Sequence, residues 1–330
     1  MARLPHATAP RPMSAPLLPT PDADALLAQA DALHDDDPPR ALQMLRALDM
    51  AALSPGRLGR LSFLLAHVAG EKFGLWGEAV AGLRAVVAHA GADVTPLILR
   101  HAAIAAHLAA EDVLAREWTQ ALAASADAPL DKARTLVALG AVQFSASRLS
   151  AEAAARLALH ALAAAAALQD TPGSGLDAAF GAVTNNLASE LLERPLADLA
   201  QPDLRDALAR AAELAQRLWD GAGTWVQRER ARYLSAMAAN ALGRGDAGAA
   251  HARAGLALLD EFDVDDGERV DRAFLELELA AGLRLAGQPG RAEALARALA
   301  LASRFGEPWL DRWFRDRQAR NEALAAHYGR

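Results

Sequence analysis

The chain has 330 residues, 53% of them hydrophobic and 23% charged, which supplies a sizeable core and excludes bulk disorder. Its formal net charge of −7 leaves no basic surplus to draw it to nucleic acid or an anionic membrane. It has no cysteine, which excludes disulfides, thiolate catalysis and cysteine metal sites. Aromatic residues make up only 5%, so leucine and alanine must do the packing, and these favour closely packed helices over sheets. Lys72 and Lys132 are the only lysines, and the arginine excess fits a GC-rich bacterial coding bias better than a function.

Residues 1–20 are studded with proline and lack a continuous apolar stretch, so they read as a disordered or loosely docked arm and not as a secretory signal. Deleting that arm should leave stability nearly intact. Residues 21–330 read as one domain of helical pairs, at 22–50, 56–91, 95–125, 130–169, 174–220, 223–263 and 266–305. A last helix, 307–327, opens on Pro308 and sets Leu310, Trp313 and Phe314 on one stripe, which predicts a terminal cap with its apolar side inward. No segment offers the ~20 unbroken apolar residues of a membrane span, so a soluble cytoplasmic protein is expected.

The pairs are joined by a recurring turn. "GLWGEA" (74–79), "GDAGAA" (245–250) and "GQPGRA" (287–292) align without gaps as G-x-x-G-x-A. "DDPPRA" (36–41), "AEDVLA" (110–115) and "RLSAEA" (148–153) are weaker versions. With Pro195 marking the fifth unit, successive turns lie 36 to 50 residues apart, a period of stacked helical hairpins. Glycine ends the first helix, and the sixth motif residue, Ala250 or Ala292, should be buried where two helices touch. An extra "LADLAQ" in the fifth unit should form a loop, of the kind that often walls a binding face.

The G-x-x-x-E-A turn between short helices, with "AVTNNLASELL" (182–192) as a first helix, resembles the tetratricopeptide repeat. The spacing is longer than the ~34 residues of the simple repeat. It is closer to the elongated versions in kinesin light chains and in sensor domains of bacterial regulators. The resemblance covers about residues 22–305. It implies an all-α right-handed superhelix, an α-solenoid of about seven antiparallel hairpins with a C-terminal capping helix. It also implies a concave groove lined by the first helices.

Catalytic motifs are absent or incidental. "GRGDAG" (243–248) matches G-x-G-x-x-G but follows a helix where a dinucleotide site needs a strand. "DVDDGE" (263–268) begins like a calcium loop, but Phe274 stands where the bidentate acid belongs, so Asp265 and Asp266 read as helix caps, as does "HDDDPP" (34–39). His101 and His107, six apart, fall on opposed faces of a helix. Trp76 reads as hairpin packing, as do Trp118, Trp219 and Trp225. No metal site, cofactor or catalytic constellation is expected, and the chain does not read as an enzyme.

Asn185 and Asn186 stand side by side in a helix that otherwise reads apolar, although asparagine is a mediocre helix former. If Leu187 is the core leucine, the repeat's geometry turns Asn185, Asn186 and Ser189 into the groove. The same register adds Arg134 from the fourth pair, Arg228, Arg232 and Ser235 from the sixth, and Phe274, Glu278 and Arg284 from the seventh. The resemblance implies that such asparagines grip the backbone of an extended peptide, since an amide both donates and accepts, while arginines suit a carboxylate. The alternative is a hydrated surface. The expected work is non-catalytic binding of a protein or extended peptide, with no nucleic acid or membrane partner. A ligand- or peptide-sensing regulator acting through a separate output partner is the competing reading.

Overall fold

Each helix begins and ends where local chemistry dictates. In the computed structural model, which describes residues 22–168, 174–263 and 267–329, fifteen α-helices follow one another, with no strand among the described residues. Asp22, Asp37, Thr95 and Ser150 each accept a backbone N–H at a helix start, and Thr224 and Gln227 form a reciprocal capping box. Pro38, Pro96, Pro202 and Pro308 open four helices, where a missing N–H costs nothing.

The hairpins are α1 (Ala23–Leu33) with α2 (Pro38–Ala47), then α3 (Leu58–Leu64) with α4 (Trp76–Ala90), where α3 runs on as a π-helical segment, Leu65–Lys72. There follow α5 (Pro96–Leu108) with α6 (Asp112–Ser125), α7 (Leu130–Ser145) with α8 (Ala151–Ala167), and α9 (Asp177–Glu193) with α10 (Pro202–Ala222). The last are α11 (Trp225–Ala241) with α12 (Gly245–Phe262) and α13 (Arg269–Ala286) with α14 (Arg291–Ala302), and α15 (Pro308–His327) ends the chain. The first helices α3, α5, α7, α9, α11 and α13 pack side by side in a row. The predicted pairs are therefore observed, within a few residues at each end. The expectation for residues 1–20 lies outside the described residues.

Close approach is governed by the fourth residue of the second helix in six of the seven hairpins. Ala41, Ala79, Ala115, Ala154, Gly248 and Ala294 occupy it, and all are buried. The gapless motif alignment finds this position at Ala41, Ala79 and Ala115. It misses by one at Ala153, which is half-buried, and by two at Ala250 and Ala292, which are exposed. The cause is turn length at Ala292 and the choice of glycine at Ala250. The left-handed glycine lies two residues before the helix at Gly74 and Gly243, but four before it at Gly287, and aligning Gly245 with Gly74 shifts the register by two. Gly245 itself is a helix contact: a Cβ there would meet Ala286 N at 2.5 Å and Gly282 O at 2.6 Å, so α12 and α13 touch backbone to backbone.

The tryptophans pack as expected. Trp76 covers Gly70, Trp118 is buried, Trp219 lies on Gly181, and Trp225 stacks on Phe262. The fifth-unit insertion is a short turn, Leu196–Ala200, with Leu199 buried. Arg194 beside it donates to Ala146 O (2.7 Å) and Leu149 O, tying the turn to the α7–α8 connection. Asp263 accepts from Gly267 N and Glu268 N and so ties the turn before α13, while Asp265 lies outside the described residues together with Asp266.

Helix α15 is the expected C-terminal capping helix. It lies on the first-helix row, against α13 and α11. Arg320 donates to Leu192 O and Arg194 O (2.9 Å) at the end of α9, and Tyr328 OH donates to Ala241 O (2.9 Å). Leu310 and Phe314 are buried as predicted, but Trp313 is 47% exposed, although its ring leans on Phe274. No helix among the described residues is long and apolar enough to cross a membrane.

Candidate functional site

The first-helix row is open between α3 and α9, where it holds a pocket of about 190 Å³. Helix α3 and the π segment contribute Phe63, His67 and Glu71, and α5 contributes Arg100, His101 and Ile104. Gln143 and Phe144 come from α7, and Val183, Asn186, Ser189 and Glu190 from α9. Val183, Asn186 and Glu190 recur at i, i+3 and i+7, so one stripe of α9 forms a wall. Phe63, Ile104, Phe144 and Val183 make an apolar floor, and charged and amide groups stand over it.

The electrostatics of this pocket follow from burial. Arg100 Nε is closed to solvent and has no acceptor, and burial pushes the guanidinium down to about 10, so it remains a cation at neutral pH. Ser62 donates its only hydroxyl proton to Gly59 O (2.7 Å), so at 2.9 Å it must accept from His101 Nδ1–H. Burial, then Arg100 and Arg60, hold His101 well below its ordinary range, leaving a neutral ring with Nε2 as an acceptor. Burial, then the Glu71 carboxylate, pushes Glu190 up to about 7. The pocket therefore offers one partly buried cation whose Nε has no acceptor, one neutral imidazole and a carboxyl group poised between its two forms.

A cluster of imidazoles and carboxylates stands at the rim. His67 Nδ1 lies 2.5 Å from Glu71 Oε2, and its Nε2 lies 3.4 Å from Asp35 Oδ1. His34 Nε2 lies 3.2 Å from Asp35 Oδ2, and Lys72 Nζ 3.0 Å from Asp35 Oδ1. Asp35 is thus drawn into this cluster, and within "HDDDPP" Asp37 is the residue that caps α2.

The sequence-predicted groove residues do not share one surface. Asn186 and Ser189 line the pocket, although Ser189 donates its hydroxyl to Asn185 O (3.1 Å). Asn185 is half-buried beside them, and Leu187 is in the core as expected. Arg134 is a correction, since it lines a separate cavity between α5, α6 and α7 with His107, Arg116 and Gln120. His101 and His107 do fall on opposed faces, one in each cavity. Arg232 and Ser235 are also corrections. Arg232 pairs with Asp220 of α10 (3.0 Å), and Ser235 donates to Gln216 of α10 (3.0 Å). Arg228 shares their i, i+4, i+7 stripe, and its Nε is buried without a partner. The side of α11 turned toward α13 and α15 carries Glu229, Tyr233 and Asn240, one residue or about 100° from the stripe chosen by sequence.

Glu278 does lie on the first-helix face, but α15 covers it. Its carboxylate accepts from Arg317 Nε (2.6 Å), Asn321 Nδ2 (2.9 Å) and Asn240 Nδ2 (2.8 Å), and it has no exposed surface. Arg284 likewise pairs with Glu322 of α15, and Phe274 is buried. Sequence reasoning missed His67, Glu71, Arg100, His101, Gln143 and Glu190. The available signal was the α9 stripe, since Glu190 falls one turn after Asn186. The insertion at 195–201 does not line the pocket. No protein-family model matches this chain, and no curated protein is significantly similar to it.

Proposed function

We propose that the chain is a non-catalytic binding scaffold that takes an extended, carboxylate-bearing peptide on its first-helix face, in the open stretch between α3 and α9. The observation that carries this reading is Arg100, a partly buried cation whose Nε has no acceptor, in a pocket rimmed by the Asn186 amide. A guanidinium so placed suits a carboxylate, and the amide suits a peptide unit. The roughly 190 Å³ cavity is below the roughly 300–1,000 Å³ of sites that enclose drug-sized ligands, and it suits an anchoring side chain or chain end. Helix α15, seated on the same row over α11 and α13, supports the reading as an internal segment held by that face. A bacterial cytoplasmic location belongs to the proposal, and its support is compositional.

The test is selection of peptides with free C-termini from a random display library, then calorimetric titration of enriched peptides. Arg100→Ala should weaken binding by about 1.5–3 kcal/mol, and Asn186→Ala by about 1–3 kcal/mol. Arg232→Ala, on the α10 side, should leave binding unchanged. Selection that yields only short chains, bound through their carboxylate alone, would favour the second reading: a small-ligand sensor acting through a separate partner. No enrichment over an unrelated helical protein, or full affinity in Arg100→Ala, would overturn both.

A further inference from the structure

The α1–α2 turn and the π segment bring two imidazoles to one carboxylate. His34 follows α1, and its Nδ1 lies against the backbone carbonyl of Asp31. A carbonyl can only accept, so Nδ1 carries the hydrogen and a neutral His34 leaves the lone pair on Nε2. His67 repeats the pattern, with Nδ1 against the buried Glu71 carboxylate and Nε2 free. Both Nε2 atoms then face Asp35, at 3.2 Å and 3.4 Å.

Neutral rings in that arrangement point two lone pairs and a carboxylate at one another, with no hydrogen between them. A cation resolves the conflict. We infer that His34, Asp35 and His67 form a binding site for a divalent transition metal of the zinc type. Their ligand atoms all lie within 4.8 Å of one another. Each Nε2 lies 3.2–3.4 Å from one oxygen of Asp35, His34 from Oδ2 and His67 from Oδ1, close to the roughly 3.3–3.4 Å ligand–ligand spacing of a zinc site with bonds of about 2.0–2.1 Å. Two imidazoles with one carboxylate are a donor set that zinc accepts, with a fourth position left for water or a ligand.

The surroundings match what metal-ligating histidines require. Each imidazole has its second nitrogen held by an acceptor, the Asp31 carbonyl for one and the Glu71 carboxylate for the other, which sets ring orientation and tautomer. Phe63 stacks on His67 at 5.1 Å and meets His34 edge-on at 6.1 Å, so both rings are packed in place. His67 and Glu71 lie four residues apart on the π-helical segment, and such local departures from α geometry are frequent at functional sites. Lys72 is the competitor, since its ammonium lies 3.0 Å from Asp35 Oδ1 and a metal must displace it.

The test uses the untagged full chain, stripped with a chelator and titrated calorimetrically with zinc, with cobalt absorption reporting the ligand field. One zinc per chain is expected, with intense visible cobalt bands of a low-coordinate site. His34→Gln and His67→Gln should each weaken zinc binding at least about 100-fold, and Glu71→Gln about 10–100-fold through the second nitrogen of His67. Lys72→Gln should tighten it. Circular dichroism in chelator checks that each variant folds. Asp35→Asn, on an exposed side chain, stands in should a histidine variant unfold, and it should also lose the metal. Zinc uptake by the wild type no tighter than by the His34→Gln/His67→Gln double variant overturns the site, as does a cobalt spectrum unchanged by these substitutions.

Discussion

At the scale of single residues, burial without a counter-charge does more than any motif. Glu190 carries a proton below about 7 and a charge above it. A carboxylate ligand on Arg100 would meet repulsion from ionised Glu190. Affinity for such a ligand should therefore fall as pH rises through about 7, and Glu190→Gln should remove that dependence in calorimetric titrations across the range. Glu229 is more extreme. It is fully buried on α11, neither of its oxygens finds a donor, and burial, then the Asp271 carboxylate, pushes it up to about 9. In the unfolded chain it ionises near its ordinary 4.5, so between those values the native state binds the extra proton. Its stabilising effect is complete below 4.5 and is lost as pH rises to about 9. Urea midpoints of the wild type should drop over that window, and Glu229→Gln should flatten the slope.

At the scale of elements, the rule is a small residue at the fourth position of the second helix. The exception is α10, where Arg205 stands there and reaches Leu242 O (2.7 Å) and the Tyr328 hydroxyl (2.9 Å). Overpacking a close helix contact costs roughly 1–3 kcal/mol. Ala294→Leu should therefore lower the melting temperature, whereas Ala292→Leu and Ala250→Leu, on exposed surface, should leave it nearly unchanged. Equal effects at 294 and 292 would mean that the turn register is misread. The turn motif is a local signal, so its six residues are legible in sequence. The length of the loop inside it is set by how α13 meets α14, which a gapless alignment does not register.

At the scale of the whole molecule, α15 divides the first-helix face into a covered part and an open part. The clasp is polar at its centre: Arg317 and Glu278 are 5% and 0% exposed, with Asn240 and Asn321 on the same carboxylate. Removing one member of such a pair leaves a buried charge and costs about 3–5 kcal/mol. Glu278→Ala should show that loss in urea unfolding, and Glu278→Leu with Arg317→Met should recover most of it. If Glu278→Ala unfolds like the wild type, α15 does not hold the face in solution.

The helices and their hairpin order were legible in the sequence because their causes are local: alanine–leucine periodicity, capping side chains, and prolines and glycines at fixed offsets. Half of the pocket's α9 wall was legible for the same reason, since Asn186 and Ser189 lie one turn apart on a single helix. The rest depended on how helices rotate and stack. A one-residue difference in register turns a side chain by about 100°, which separates Arg232, against α10, from Tyr233, against Phe274. The bonds that decide which face is open join residues far apart in the chain: Arg317 to Glu278, and Arg320 to the end of α9. Periodicity carries no information about such pairs. Arg100 gave no sign in sequence of standing without an acceptor, because burial is a property of neighbours that only tertiary packing brings near.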